Sequence, residues 1–321
     1  MVTKVFSTAL STVGLSLVLW GSVSPAVWAG DPFRSSNPKA IGNQTEAAFK
    51  ALFKDGNYTE AKRLVQQAES SEANEPLLHA LKASLAFNDG DLATFTAAGT
   101  ATREKAQQLL ATDPMRGNLY LAVGNFLEGA AIAKKDGLVR GAVPALGKVQ
   151  EAFKSLDAAE KIDAQDPELN LIRGNIDLML AVNVKMPLSD SNKAIQKLEA
   201  AAAPRYIADR SLAWGYRDLK QLDKAKVAID RALDQAKNNP ELQYLKAQVL
   251  VKQKDYPAAV TWFDKALKKK AQLPRPLAAQ IERERGWAND KVSPAAAPSP
   301  GSAVQPATSP SPAPSSNPVI K

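Results

Sequence analysis

Apolar residues recur along most of the chain at helical spacing, and three stretches share one phrase. Pro76, Leu78, Leu81 and Ala83 form the first. Pro167, Leu169, Ile172 and Gly174 form the second, and Pro240, Leu242, Leu245 and Ala247 the third. Proline suits the first turn of a helix, where its missing N–H leaves nothing unpaired. The aliphatics at +2 and +5 share a face, and the small residue at +7 lets a neighbouring helix come close. Ala68, Ala159 and Ala232 each stand eight residues before those prolines. One helix therefore ends, the chain turns, and the next begins in a fixed phase. No stretch alternates with strand period for long enough to compete.

This phrase resembles the tetratricopeptide repeat, a 34-residue helix-turn-helix unit. From Tyr206, the residues Leu212, Ala213 and Tyr216 fit the first helix of a unit. Leu222 to Ala225 fit its turn, and Ile229 and Ala232 its second helix. From Pro240, the residues Ala247, Asp255 to Ala259, Phe263 and Ala266 do the same. Gly56 to Ala61 with Ala68 repeat the turn and second helix near the start, and Ala194 and Ala201 fit the unit opening at Pro167. The departures are local. Phe49 and Phe95 stand where small residues are expected, and residues 113–165 match poorly, with a break at Gly137 to Gly141. The resemblance implies an all-α, right-handed superhelical array of helix-turn-helix hairpins over residues 42–275, with a capping helix over 276–290. Stacked hairpins of this kind share one core and present a concave face.

Both ends read differently. Residues 1–29 combine Lys4, an apolar run from Val13 to Val23, and Val27 and Ala29 at −3 and −1 of a cut before Gly30. That is the layout of a secretory signal peptide, with an uncleaved anchor as the alternative. It points to export, to the periplasm or cell envelope. Signal and tail together resemble those of cyanobacterial exported repeat proteins, which would make the thylakoid lumen the alternative compartment. Residues 30–41 read as a linker, and 291–321 as a disordered tail of Pro, Ala and Ser. No later stretch reaches about 18 consecutive apolar residues, so no mature transmembrane helix is expected.

Charge changes this picture little. The chain carries +8, and removing Lys4, Lys291 and Lys321 leaves the folded part at +5. No nucleic-acid partner is expected from so mild a balance. A basic run holds Lys265, Lys268, Lys269, Lys270 and Arg275. It suits a helix C-terminus and leaves room for peripheral contact with an anionic membrane or wall surface.

Chemistry is scarce. There is no cysteine, and His79 is the single histidine, so thiolate and common zinc sets are excluded. Gly141 to Val149 has five residues between its glycines and valine after lysine, so it is not a phosphate loop. Asn88 to Asp91 lacks the distal glutamate of a calcium loop. No enzyme, cofactor or metal is expected. What the resemblance implies instead is binding of a protein or peptide partner in the concave groove. Groove positions carried over from the family are Asn175, Arg210, Trp214, Arg217, Tyr244, Gln248 and Lys252. Trp214 has two readings, a partner anchor or packing against the next hairpin. The expected role is an exported scaffold or assembly factor, with a structural envelope component, tethered through its basic end and tail, as the alternative.

Overall fold

The computed structural model describes residues 30–184 and 190–292. The signal segment and residues 293–321 of the tail lie outside the described residues. Thirteen α-helices and no strand occur among those described, and they pair into antiparallel hairpins. These are α1 (Asn43–Phe53) with α2 (Tyr58–Ser71), α3 (Pro76–Asp89) with α4 (Leu92–Leu109), and α5 (Pro114–Arg140) with α6 (Ala142–Ile162). Then come α7 (Pro167–Met179) with α8 (Ser191–Ala200), α9 (Arg205–Asp218) with α10 (Leu222–Gln235), and α11 (Pro240–Lys252) with α12 (Tyr256–Leu267). The helix α13 (Arg275–Val292) packs on α12. The expected all-α array of helical hairpins is what the structure shows.

The helix starts follow from side-chain chemistry. Each motif proline follows a residue whose side chain takes the first free backbone donors. Glu75 accepts from the Leu77 amide at 3.0 Å and Asp166 from the Leu169 amide at 2.9 Å. Asn239 accepts from the Glu241 and Leu242 amides at 2.9 and 3.2 Å. Those caps satisfy the orphan N–H groups of a helix start. The alanines eight residues upstream are fully buried where helix meets helix.

A fourth start of the same type opens α5 inside the poorly matched stretch. Asp113 accepts from the Arg116 amide at 3.1 Å, Pro114 follows, and Ala106 lies eight residues upstream, fully buried. Residues 113–165 thus make one hairpin with unusually long helices. Its packing is close: a Cβ on Gly124 would lie 2.6 Å from the Arg103 backbone. Gly137, at φ 72° and ψ 173°, breaks the helical path near the end of α5.

The position two after the proline explains why the unit was hard to read. Leu78, Leu169 and Leu242 bury there, whereas α5 places Arg116, 2% exposed. Arg116 Nε donates to Glu168 at 3.1 Å and Nη2 to Glu75 at 2.8 Å. Glu168 is itself 0% exposed. It also accepts from the Tyr120 hydroxyl at 2.6 Å and from Arg34 Nη2 at 2.9 Å. Burial pushes both guanidinium groups down, but the facing carboxylates outweigh it and hold Arg34 and Arg116 above the ordinary arginine value.

Arg34 belongs to residues 30–41, so the expected linker is in fact a packed strap. Phe33 is buried and meets Phe49 edge-on at 4.9 Å between ring centroids. Asp31 accepts from the Phe33 and Lys39 amides at 2.8 and 2.9 Å and pairs with Arg34 at 2.9 Å. Phe49, the misfit in the first unit, is large because it receives this strap.

Replacing Glu168 with alanine leaves two buried guanidinium groups short of their shared carboxylate. The expected loss is about 3–5 kcal/mol of unfolding free energy, measured by urea denaturation. A loss under about 1 kcal/mol would mean that the cluster does not hold the strap.

Candidate functional site: an inner cleft

An open array would leave its first and last hairpins far apart. Here they meet. Asn239, 1% exposed, caps α11 with its oxygen and donates its amide nitrogen to the carbonyls of Phe53 and Lys54 at 3.0 and 3.2 Å. Those carbonyls are free ends of α1, so one side chain serves two helix termini distant in sequence. The Tyr58 hydroxyl donates to Glu241 at 2.6 Å, and Thr59 Oγ1 to the Ala271 carbonyl at 3.4 Å. Gly56 sits at φ 62°, and a Cβ there would fall 2.7 Å from Asn239 and Pro240. Only glycine gives the α1–α2 turn both its left-handed backbone and this close approach. On the other side, α13 returns to touch α3.

Closure turns the first helices of the units inward around two joined spaces. The first is a cleft of about 380 Å³ between α7, α9, α11 and the start of α13. Asn175, Arg210, Trp214, Arg217, Tyr244 and Gln248 all line it. Lys252 does not; it is exposed on the last turn of α11, beyond the end of the cleft. The second is a cavity of about 270 Å³ whose walls are mainly apolar, with Phe33, Phe49, Leu81, Phe126, Leu171 and Ile207 among them. Asn175, Arg210 and Ser211 border both spaces.

The cleft's polar groups differ in how far they are already engaged. Arg217 is bound to Asp218 at 2.7 Å and to the Gln248 side-chain oxygen. Gln248 donates to the Tyr244 hydroxyl at 2.7 Å, and Tyr244 donates to Glu284 of α13 at 2.7 Å. Burial, then the Glu284 carboxylate, pushes the Tyr244 hydroxyl well above the usual phenol range. Arg210 is freer. Its one ion pair among the described residues is a long contact of 3.7 Å to Glu241, and its side chain is 38% exposed. Glu241 in turn serves the Tyr58 clasp. Trp214 is half-buried against the core, and its indole N–H has no acceptor among the described residues. It both packs and faces the cleft.

The apolar half of the site was not anticipated, because Phe33 and Phe49 reach it only through the strap and the closure. The misplaced size of Phe49 was its one trace in the sequence. Among the described residues, no group of three or more His, Cys, Asp or Glu is placed to hold a metal ion. Nor is any described helix long and apolar enough to cross a membrane.

The arrangement defines a helical-repeat protein with an inward-facing cleft. Residues 216–281 match the tetratricopeptide repeat family, a repeat associated with protein–protein contacts. Among solved structures, a thermophilic tetratricopeptide-repeat protein from Thermus thermophilus is similar at 17% identity. That match covers 77% of this chain and 97% of the other, with a TM-score of 0.31. No curated protein matches the chain.

The substitution Asn239→Asp isolates the clasp, because aspartate keeps the cap of α11 but loses both donors to α1. It also sets a negative charge at the negative pole of α1. The expected loss is about 1–2 kcal/mol. Amide hydrogen exchange should accelerate over residues 43–71 and not over 114–162. Uniform acceleration would contradict a local opening.

Proposed function

We propose that the chain is an exported protein-interaction scaffold whose inner cleft receives an acidic partner segment carrying an apolar side chain. The observation that carries this reading is the place of Arg210: a loosely paired cation at the junction of a polar cleft and an apolar cavity. An acidic group on the partner would displace the long contact to Glu241 and form a charge-assisted bond. The apolar side chain would enter the cavity, and Trp214 would offer its flat face and free indole donor, as aromatic anchors do at binding hot spots. Arg217, Tyr244 and Gln248 form the stiff wall behind, since their polar atoms already satisfy one another. Lys252 is left outside this role. The signal-like start supports export with a cut before Gly30, placing the protein in the periplasm or envelope, or in the thylakoid lumen if the source is cyanobacterial.

The test is crosslinking capture by the mature chain in its native compartment, followed by affinity measurement with the partner recovered. Trp214→Ala and Arg210→Ala should each weaken binding by about 2 kcal/mol, roughly thirty-fold, while Lys252→Ala leaves it unchanged. Equal effects at all three positions, or recovery of no specific protein, would sink the cleft as a partner site.

A second reading, an envelope component held at an anionic surface, is favoured by one feature of the outer face. Lys237, Lys246, Lys265, Lys268 and Lys269 surround Trp262. The ammonium groups of Lys246 and Lys265 lie 4.1 and 3.8 Å from its ring centroid. Asp230 neutralises Lys246 at 2.5 Å, and the other lysines keep their charge toward solvent. Near an anionic membrane each such charge contributes about 1 kcal/mol. Changing Lys265, Lys268 and Lys269 together to glutamine should lower sedimentation with phosphatidylserine-containing vesicles about 100-fold. Binding equal to that on neutral vesicles, before any substitution, would remove this reading.

A further inference from the structure

The strap begins beside a carboxylate with an unused oxygen. A Cβ built on Gly30 would fall 2.0 Å from Glu46 Oε2 and 2.5 Å from Oε1. The carboxylate therefore lies directly against the backbone at residue 30, and bond geometry sets the Gly30 nitrogen within about 4.5 Å of Oε2. Lys50 engages Oε1 at 2.6 Å, and Oε2 has no donor among the described residues. The Glu46 side chain is only 15% exposed, so water screens it weakly. Gly30 is also well anchored. Its neighbour Asp31 has a fully buried side chain fixed by the Phe33 and Lys39 amides and by Arg34. A group on residue 30 is thus held where Glu46 can meet it.

The sequence just upstream supplies the group. Val27 and Ala29 give the small −3 and −1 residues that a leader peptidase reads. Hydrolysis of the Ala29–Gly30 peptide bond by water would leave a carboxylate on Ala29 and a free amine on Gly30, protonated at neutral pH.

We propose that export processing cuts between Ala29 and Gly30 and that the ammonium so released pairs with Glu46 Oε2, making the new N-terminus a structural ion pair of the mature protein. The location of the cut rests on the export reading; the ion pair is tested without it. Glycine favours the pair on two counts. Any side chain would push the Glu46 carboxylate away, and the smallest residue lets the ammonium approach it. The pair fastens the open end of the strap whose other end carries Phe33 and Arg34 into the core.

Three forms of the full mature chain decide the matter. One starts at Gly30, freed by a protease whose cut leaves glycine first. The second retains Ala29, which moves the amine one residue away. The third is acetylated on Gly30, which removes its charge. The Gly30 amine form should melt about 2–4 °C above both others. In a Glu46→Gln background the three should melt together. Equal melting temperatures in the unaltered protein, or a difference that survives Glu46→Gln, would overturn the ion pair. The intact mass of the exported protein tests the cut. A start at Gly30 supports it, and a start at another residue overturns it. An unprocessed leader refutes the export reading, whatever the melting temperatures show.

Discussion

The strap, α5 and α7 are arranged around the buried carboxylate of Glu168. It lies in the first turn of α7, where the helix dipole and free amides favour negative charge. Two arginines reach it from elements far apart in sequence, Arg34 in the strap and Arg116 in α5, and the Tyr120 hydroxyl completes its shell. Such a cluster is weak evidence for stability, because desolvating the ions costs about what their attraction returns. Its effect is on uniqueness. Hydrophobic residues in these places would tolerate sliding. A guanidinium must meet its carboxylate at one spacing, so the strap, α5 and α7 have one relative position. The acids around them do not compete for the arginines alone. Asp31, Glu75 and Asp166 also accept backbone amides.

Beyond the strap, the array closes on itself. Repeat arrays are usually quasi-one-dimensional, each unit touching only its neighbours. Here the first hairpin rests on the turn before α11. Loop-closure entropy grows only with the logarithm of the loop length, so joining ends this distant costs little more than joining near ones. The closing contacts are few but well chosen. Asn239 satisfies donors at one helix start and carbonyls at another helix end. End hairpins that would otherwise fray are thereby tied into a core cluster running from Phe33 to Ala288.

The hairpins were legible in the sequence because their logic is local. Proline after a capping side chain, a buried alanine eight residues before, and aliphatics at fixed offsets need no knowledge of the rest of the chain. The unit at Pro114 obeys the same phase through Ala106 and Leu119. It escaped notice because Arg116 stands where leucine should and Leu121 where a small residue should. An arginine at a core position looks like decay of the repeat until its carboxylate is found, and that carboxylate is far along the chain. The cleft was legible in part through the repeat resemblance. The groove positions it implied, Asn175, Arg210, Trp214, Arg217, Tyr244 and Gln248, line one space. Lys252, implied by the same resemblance, stands beyond the end of the cleft. The strap and its apolar cavity could not be read this way. They depend on Phe33 and Phe49 meeting helices contributed by distant hairpins, and composition alone makes residues 30–41 look like a linker.

Closure also constrains what can be recognised. An open concave groove can take an extended peptide along its length, with contacts shared among many units. Two joined spaces of about 380 and 270 Å³ hold only a few side chains. Specific protein pairs commonly bury about 1,200–2,000 Å² in total, much more than such a cleft offers. A partner that uses it must therefore insert a terminus or a protruding loop and find the rest of its area on the rim. On the proposed reading, the cleft supplies discrimination. An acidic group that fails to reach Arg210 leaves its own charge desolvated, and that penalty separates partners more sharply than apolar contact does. The stiff Arg217–Gln248–Tyr244–Glu284 chain sharpens it further, because a wall whose polar atoms are already satisfied has little to gain by rearranging around a poorly fitting guest.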